Sequence, residues 1–263
     1  MIHLGVVSLF PEMFSSLQYG VCGRAIEQGL AKVDLFNPRD WSARPHRQVD
    51  DKPYGGGPGM VMQYEPLEGA ILAAQSQMPT SMKVVYLSPQ GKCIRQHEIS
   101  ALATAQQPIL FLAGRYEGID ERIIAHHVDE EWSLGDFVIS GGELAAMVFI
   151  DAIVRLLPGS LGNPGSAAHD SFMHGLLECP HYTRPESIHG MMVPEVLRKG
   201  NHQEIQRWQK KQALGRTWQR RPELLEKLSL NEVDKQLLVE FIVENGGKAS
   251  DIEVLNTSHP VEE

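Results

Sequence analysis

The sequence predicts an α/β domain built on a parallel sheet, followed by a small all-helical domain. Three observations predict it. Short apolar runs alternate with amphipathic helical stretches between residues 67 and 157. Three glycine-bearing loops each follow one of those runs, and beyond a stretch of Gly, Pro, Ser, Asn and Ala at 159–168 the pattern becomes helical only.

Residues 2–8 are apolar and β-branched, as a buried first strand requires. Pro11 suits the first turn of a helix, residues 21–28 form a second short helix with Gly29 as its stop, and residues 33–36 form a strand. Residues 41–62 contain Asp50-Asp51-Lys52-Pro53-Tyr54-Gly55-Gly56-Gly57-Pro58-Gly59-Met60, too rich in Gly and Pro for regular structure. A loop this long in a compact domain is usually functional or disordered. A helix carrying Leu67, Ala70, Ile71 and Ala74 on one face leads to a strand at 83–87, a helix at 98–105 and a strand at 109–113. A helix at 119–126, a short strand near Val128 and a helix at 143–157 complete the domain, and Pro158-Gly159 ends it. Helices are then expected at 195–197, 201–214, 222–228 and 231–244.

The three loops are Leu87-Ser88-Pro89-Gln90-Gly91, Gly114-Arg115-Tyr116-Glu117-Gly118, and Leu134-Gly135-Asp136-Phe137-Val138-Ile139-Ser140-Gly141-Gly142. Loops leaving the C-terminal ends of parallel strands gather over one crevice, where such sheets bind ligands. Glycine there lets backbone approach a ligand closely. Any one of them is equally well an ordinary β→α turn; three in series predict one pocket. No phosphate-binding signature accompanies it. Gly91-Lys92-Cys93 lacks the upstream Gly and the following Ser or Thr of a P-loop, and no Gly-x-Gly-x-x-Gly is present. The expected ligand therefore relies little on phosphates.

The chain of 263 residues is 42% hydrophobic and has a formal charge of −9. The apolar stretch at 144–157 is too short to span a membrane and contains Asp151 and Arg155. Cys22, Cys93 and Cys179 are scattered, so a reduced, cytoplasmic protein is expected. The histidines show no zinc spacing. Net acidity hides a cationic segment: Arg198, Lys199, Arg207, Lys210, Lys211, Arg216, Arg220 and Arg221 face only Glu204 within 198–221. RNA or another polyanion is the better reading of those cations, while Trp208 and Trp218 among them are expected to pack the small domain's core.

Taken together, these stretches closely resemble the bacterial tRNA (guanine-N1)-methyltransferase family. The likeness runs from Leu9-Phe10-Pro11-Glu12-Met13-Phe14 through the Gly-rich 49–60 segment and all three loops, with Ile119-Asp120-Glu121-Arg122 after the second and Glu143-Leu144 after the third. It continues to Cys179-Pro180-His181-Tyr182-Thr183-Arg184-Pro185 and Arg216-Thr217-Trp218-Gln219-Arg220-Arg221-Pro222. Two positions depart from the family pattern, Ala145 where proline is usual and Gln209 where arginine is frequent.

The resemblance implies a trefoil-knotted methyltransferase domain over 1–160, a flexible linker at 161–169, a helical tRNA-binding domain at 170–246 and a disordered tail at 247–263. It implies a homodimer with active sites between subunits, and S-adenosylmethionine as cofactor. The cofactor would be held by Tyr86, Leu87, Ser88 and Pro89, by Gly114, Tyr116, Glu117 and Gly118, and by Ser133, Leu134, Gly135, Asp136, Phe137, Val138, Ile139, Ser140, Gly141 and Gly142. Asp170 is implied as the base at guanine N1, and Arg155 as the cation that steadies charge on O6. From composition alone, Asp170 is a solvated linker carboxylate and Arg155 either snorkels to solvent or points into the pocket. A magnesium ion is implied by the family, with Glu117 and Asp170 as the candidate pair. The implied activity is methylation of guanine N1 at tRNA position 37. The rivals are a knotted methyltransferase acting on another RNA or on ribose, and a non-catalytic RNA-binding protein.

Overall fold

A computed structural model describes residues 1–163 and 165–251. They fall into two compact units that divide at position 164.

The first unit carries a five-stranded parallel sheet in the order β2-β1-β6-β5-β7. Its strands are β1 (Ile2–Val7), β2 (Ala31–Phe36), β5 (Lys83–Cys93), β6 (Ile109–Leu112) and β7 (Glu130–Ser133). Every residue of β1 is buried, which is why that strand reads as an apolar run and not as an alternation. Its central register pairs Leu4 with Ile109, while β5 pairs Tyr86 with Leu112 and Leu87 with Trp132. Because β6, β5 and β7 are neighbours, the segments leaving their C-terminal ends meet.

Helices cover both faces. Against one lie α1 (Gly20–Glu27), α3 (Gln96–Ala105) and α5 (Gly142–Val154), around a cluster in which Phe111 stacks on Phe149 at 6.1 Å and meets Trp132 edge-on at 6.0 Å. Truncating a core ring of this kind costs ~3–5 kcal/mol. The other face is covered by α2 (Tyr64–Gln77) and α4 (Glu121–His127), with Leu67, Ala70, Ile71 and Ala74 buried as the helical spacing requires. Pro11–Gln18 forms a 3-10 helix. Within 41–62, β3 (Asp50–Asp51) and β4 (Val61–Met62) make a short antiparallel hairpin beneath the glycine-rich tip.

Three expectations are corrected here. The strand expected near Val128 begins at Glu130, because Val128 instead closes α4, its N–H donating to the Ile124 carbonyl at 3.4 Å. Strand β5 does not stop at Leu87. It continues to Cys93 with a bulge between Leu87 and Lys92, so the first glycine loop is an irregular stretch of strand and not a β→α turn. Gly91 permits this, since a Cβ there would lie 2.4 Å from the Glu131 carbonyl carbon. Nor is the second unit all-helical, as β8 (Ser187–Ile188) and β9 (Met191–Met192) pair across a turn in which His189 and Gly190 both take positive φ, 52° and 78°.

The helices of that second unit are α6 (Glu195–Arg198), α7 (His202–Arg220), α8 (Pro222–Leu225) and α9 (Glu232–Glu244). Asn201 and Asn231 cap α7 and α9 through their side chains, which fixes where each begins. Leu214, Leu225, Leu237, Leu238 and Ile242 form the unit's core with Leu176. In the stretch expected as linker, Ala167–His169 forms a 3-10 turn, and position 164 lies outside the described residues. Of the expected tail, Gly247 donates to the Ile242 carbonyl at 2.9 Å and Asp251 to that of Lys248 at 3.0 Å; residues 252–263 lie outside the described residues.

Candidate functional site

A cavity of about 270 Å³ opens where β5 bulges and β6 and β7 end. Its wall is made by Tyr86 to Pro89 on β5, by Gly114 to Gly118 after β6, by Trp132 and Ser133 at the end of β7, and by Leu134, Gly135 and Phe137 to Gly142 after it. The three segments singled out in the sequence thus line one cavity. Asp136 does not line it; it is exposed between two residues that do.

Close backbone contacts hold the segments together. The Gly142 N–H donates to the Gly114 carbonyl at 2.9 Å. A Cβ on Gly142 would lie 2.7 Å from Ala113 Cα, so the chain crosses where no side chain fits. The ring of Tyr86 lies beneath the second segment, with its hydroxyl 3.0 Å from where a Cβ on Gly114 would stand. Burial first, and then the charge of Glu131, pushes the Tyr86 phenol above its ordinary value, so it remains a neutral aromatic wall.

The Gly-rich hairpin reaches the same place. Met60 accepts from the Glu117 N–H at 2.9 Å and Met62 donates to the Gly118 carbonyl at 3.0 Å. Gly59, at φ 84°, leaves room for the Glu117 carboxyl, which a Cβ would approach to 2.4 Å.

Three lining residues were missed in the sequence: Arg115, Trp132 and Ala145. Arg115 stood inside a motif noted only for its glycines. Its guanidinium lies over the Phe10 ring at 4.7 Å, donates through Nη1 to the Ser140 carbonyl at 3.1 Å, and pairs through Nε with Glu143 at 2.8 Å. Glu143 is fully buried and also accepts from the Ser8 hydroxyl at 3.1 Å. The available signal was a glutamate opening a helix whose next seven residues are all apolar.

Arg155 does not line the cavity. Arg155 is the half-buried C-cap of α5, whose first residue, Gly142, does line it. The last α5 residue at the cavity, Ala145, stands ten residues before it, so at ~1.5 Å per residue Arg155 lies ~15 Å along the axis from the cavity of its own chain. Asp170 belongs to the second unit, half-buried, and caps the turn Ala167–His169.

In the second unit the cationic segment proves largely neutralised. Arg207 pairs with Glu240 at 2.6 Å, Lys211 with Glu244 at 2.6 Å and Lys210 with Asp234 at 3.4 Å, all from α9. Arg198, Lys199 and Arg221 pair with Glu186, Glu195 and Glu223. Among the described residues, Arg216 and Arg220 have no such carboxylate, and Arg220 is exposed. Among the described residues, the cations of this segment without a carboxylate partner therefore stand at the C-terminal end of α7. Trp218 packs against the core as expected, whereas Trp208 is half-buried against Tyr182 at 6.4 Å.

Among the described residues, no group of three or more His, Cys, Asp or Glu side chains is placed to hold a metal ion. The candidate magnesium pair, Glu117 and Asp170, is split between the two units. No helix among them is long and apolar enough to cross a membrane.

The family described as tRNA (Guanine-1)-methyltransferase TrmD matches residues 2–227. A tRNA (guanine-N(1)-)-methyltransferase of Legionella pneumophila strain Philadelphia 1 is 67% identical over 245 residues, covering 93% of this chain and 98% of its own. Proteins of the same name from Vibrio vulnificus strain YJ016, with 57% identity over 93% of this chain and 98% of theirs, and from Tolumonas auensis, with 56% over 92% and 97%, are also similar to it. The match takes in every segment that lines the cavity, and on it the chain belongs to the tRNA (Guanine-1)-methyltransferase TrmD family.

Proposed function

We propose that the chain transfers the methyl group of S-adenosylmethionine to N1 of guanine 37 in tRNA, beside the anticodon, in the cytoplasm. The observation that carries this reading is the single cavity that the three glycine-bearing segments line, in a chain of this family. The cavity suits that cofactor. It offers backbone groups, glycines that admit close approach, and apolar or aromatic walls from Tyr86, Leu87, Phe137 and Ile139. The cofactor supplies an electrophilic methyl when bound.

Guanine N1 carries a proton and is a poor nucleophile, so transfer requires a base at N1 and a cation where charge builds on O6. Asp170 takes the N1 proton, and Arg155 holds O6 as a guanidinium suits a guanine edge.

The ~15 Å between Arg155 and its own cavity supports a homodimer with shared sites. Leu144 and Val148 remain 48% and 51% exposed on α5, and Asp151 and Arg155 continue their stripe at helical spacing. A second copy seated on that stripe covers the apolar residues and receives Arg155 at its own cavity. In the same reading, the passage of 134–142 across the strand ends threads the trefoil knot, and tRNA meets the second unit at Arg216 and Arg220. The test is transfer of labelled methyl to a tRNA transcript with guanine at 37 and to the same transcript with adenine there. Labelling of the first alone supports the reading, and equal labelling of both contradicts it.

A further inference from the structure

We propose that Glu143 makes the cavity selective for a cationic cofactor over its neutral product, by cancelling the charge of Arg115 at the cavity wall. The proposal rests on the reading of the cavity as an S-adenosylmethionine site. Two sources of positive potential face that cavity, the Arg115 guanidinium and the N-terminus of α5 at Gly142. S-adenosylmethionine brings a sulfonium cation there, whereas the thioether left after methyl transfer is neutral. An uncompensated guanidinium would therefore disfavour the donor and leave the product untouched.

Glu143 is the buried negative group set against both. It is 0% exposed, stands in the first turn of α5, and takes one hydrogen bond from Arg115 Nε at 2.8 Å and one from Ser8 Oγ at 3.1 Å. Glu117, which also lines the cavity, is exposed, so water screens it. A carboxylate this deep is costly unless paired, and packing alone is served as well by apolar groups of similar shape. The charge itself is what the site uses. Glu143 acts through Arg115 and is a positioning residue, touching neither cofactor nor substrate.

The test is calorimetric titration of the full-length protein, in alkaline buffer, with S-adenosylmethionine and separately with S-adenosylhomocysteine. Glu143→Gln is expected to weaken the donor about tenfold more than the product, the scale of a unit charge acting over ~10 Å at an effective dielectric of ~20. Arg115→Gln moves the ratio the opposite way, and the double variant returns it towards the starting value. Should Glu143→Gln not fold, Arg115→Gln and the double variant carry the same test. A common loss for both ligands in the single variants means a merely structural pair and overturns the proposal. Failure of the unaltered protein to bind either ligand overturns the cofactor reading itself, and the proposal with it.

Discussion

The amide of Gly142 donates to the carbonyl of Gly114 at 2.9 Å, which ties the third cavity segment to the second where α5 begins. The contact is possible only because position 142 has no Cβ, which would stand 2.7 Å from the Ala113 backbone. Gly142→Ala should therefore lower affinity for S-adenosylhomocysteine at least tenfold, about 1.4 kcal/mol, although alanine is the better helix former by about 1 kcal/mol. Calorimetry measures it, and unchanged affinity would show that the crossing is not needed for the cavity.

Asp170→Asn is expected to slow methyl transfer by ~10²–10⁴-fold, the usual worth of a positioned base, while S-adenosylhomocysteine affinity stays as it was. Single-turnover rates alongside calorimetry check this. An undiminished rate would remove Asp170 from the chemistry.

If Arg155 serves the cavity of a second copy, two impaired variants assayed at cofactor too dilute to fill the Gly142→Ala cavity should complement each other. Arg155→Ala keeps an intact cavity and Gly142→Ala keeps Arg155, so co-expressed and purified mixed dimers should recover transfer at one of their two sites. Mixed dimers as slow as either parent would place Arg155 at its own cavity, despite the length of α5.

Along α7 the cations should divide by function. Arg216→Gln with Arg220→Gln is expected to weaken tRNA binding and to reduce the slope of log affinity against log salt by about 1.5, at ~0.7–0.9 per phosphate contact. Arg207→Gln with Lys211→Gln, which strips Glu240 and Glu244 of their partners, should instead lower the melting temperature and leave that slope nearly unchanged. Filter binding over a salt series and thermal unfolding separate the two.

The Arg207 guanidinium holds the Glu240 carboxyl below the usual carboxylate range. A depressed carboxyl contributes stability that is present above its unfolded value, about 4.3, and is lost as pH falls through the lower folded value. The excess melting temperature of the unaltered protein over Arg207→Gln should thus be full above about pH 5 and shrink in more acid buffer. A difference that grows with acid would have the wrong sign for this pair.

The sheet was legible in the sequence because strands buried on both faces are spelled as apolar runs, and β1 and β6 show it. The end of β5 was not legible. Ser88-Pro89-Gln90-Gly91 carries every mark of a turn, yet the strand passes through it as a bulge against Trp132, a pairing set by the neighbouring strand. The cavity segments could be named because their glycines punctuate the chain, whereas the Arg115–Glu143 pair could not, since 28 residues separate partners that only folding brings to 2.8 Å. The pairing of the α7 cations was hidden for the same reason. Glu240 and Glu244 lie 33 residues from Arg207 and Lys211, so a count taken along one segment missed the carboxylates that neutralise it.

The most direct measurement is mass spectrometric mapping of methylated nucleosides after incubating the protein with unmodified tRNA and S-adenosylmethionine. The account predicts 1-methylguanosine at position 37 and no ribose methylation. Methylation at another nucleoside or on ribose, or none at all, would contradict it.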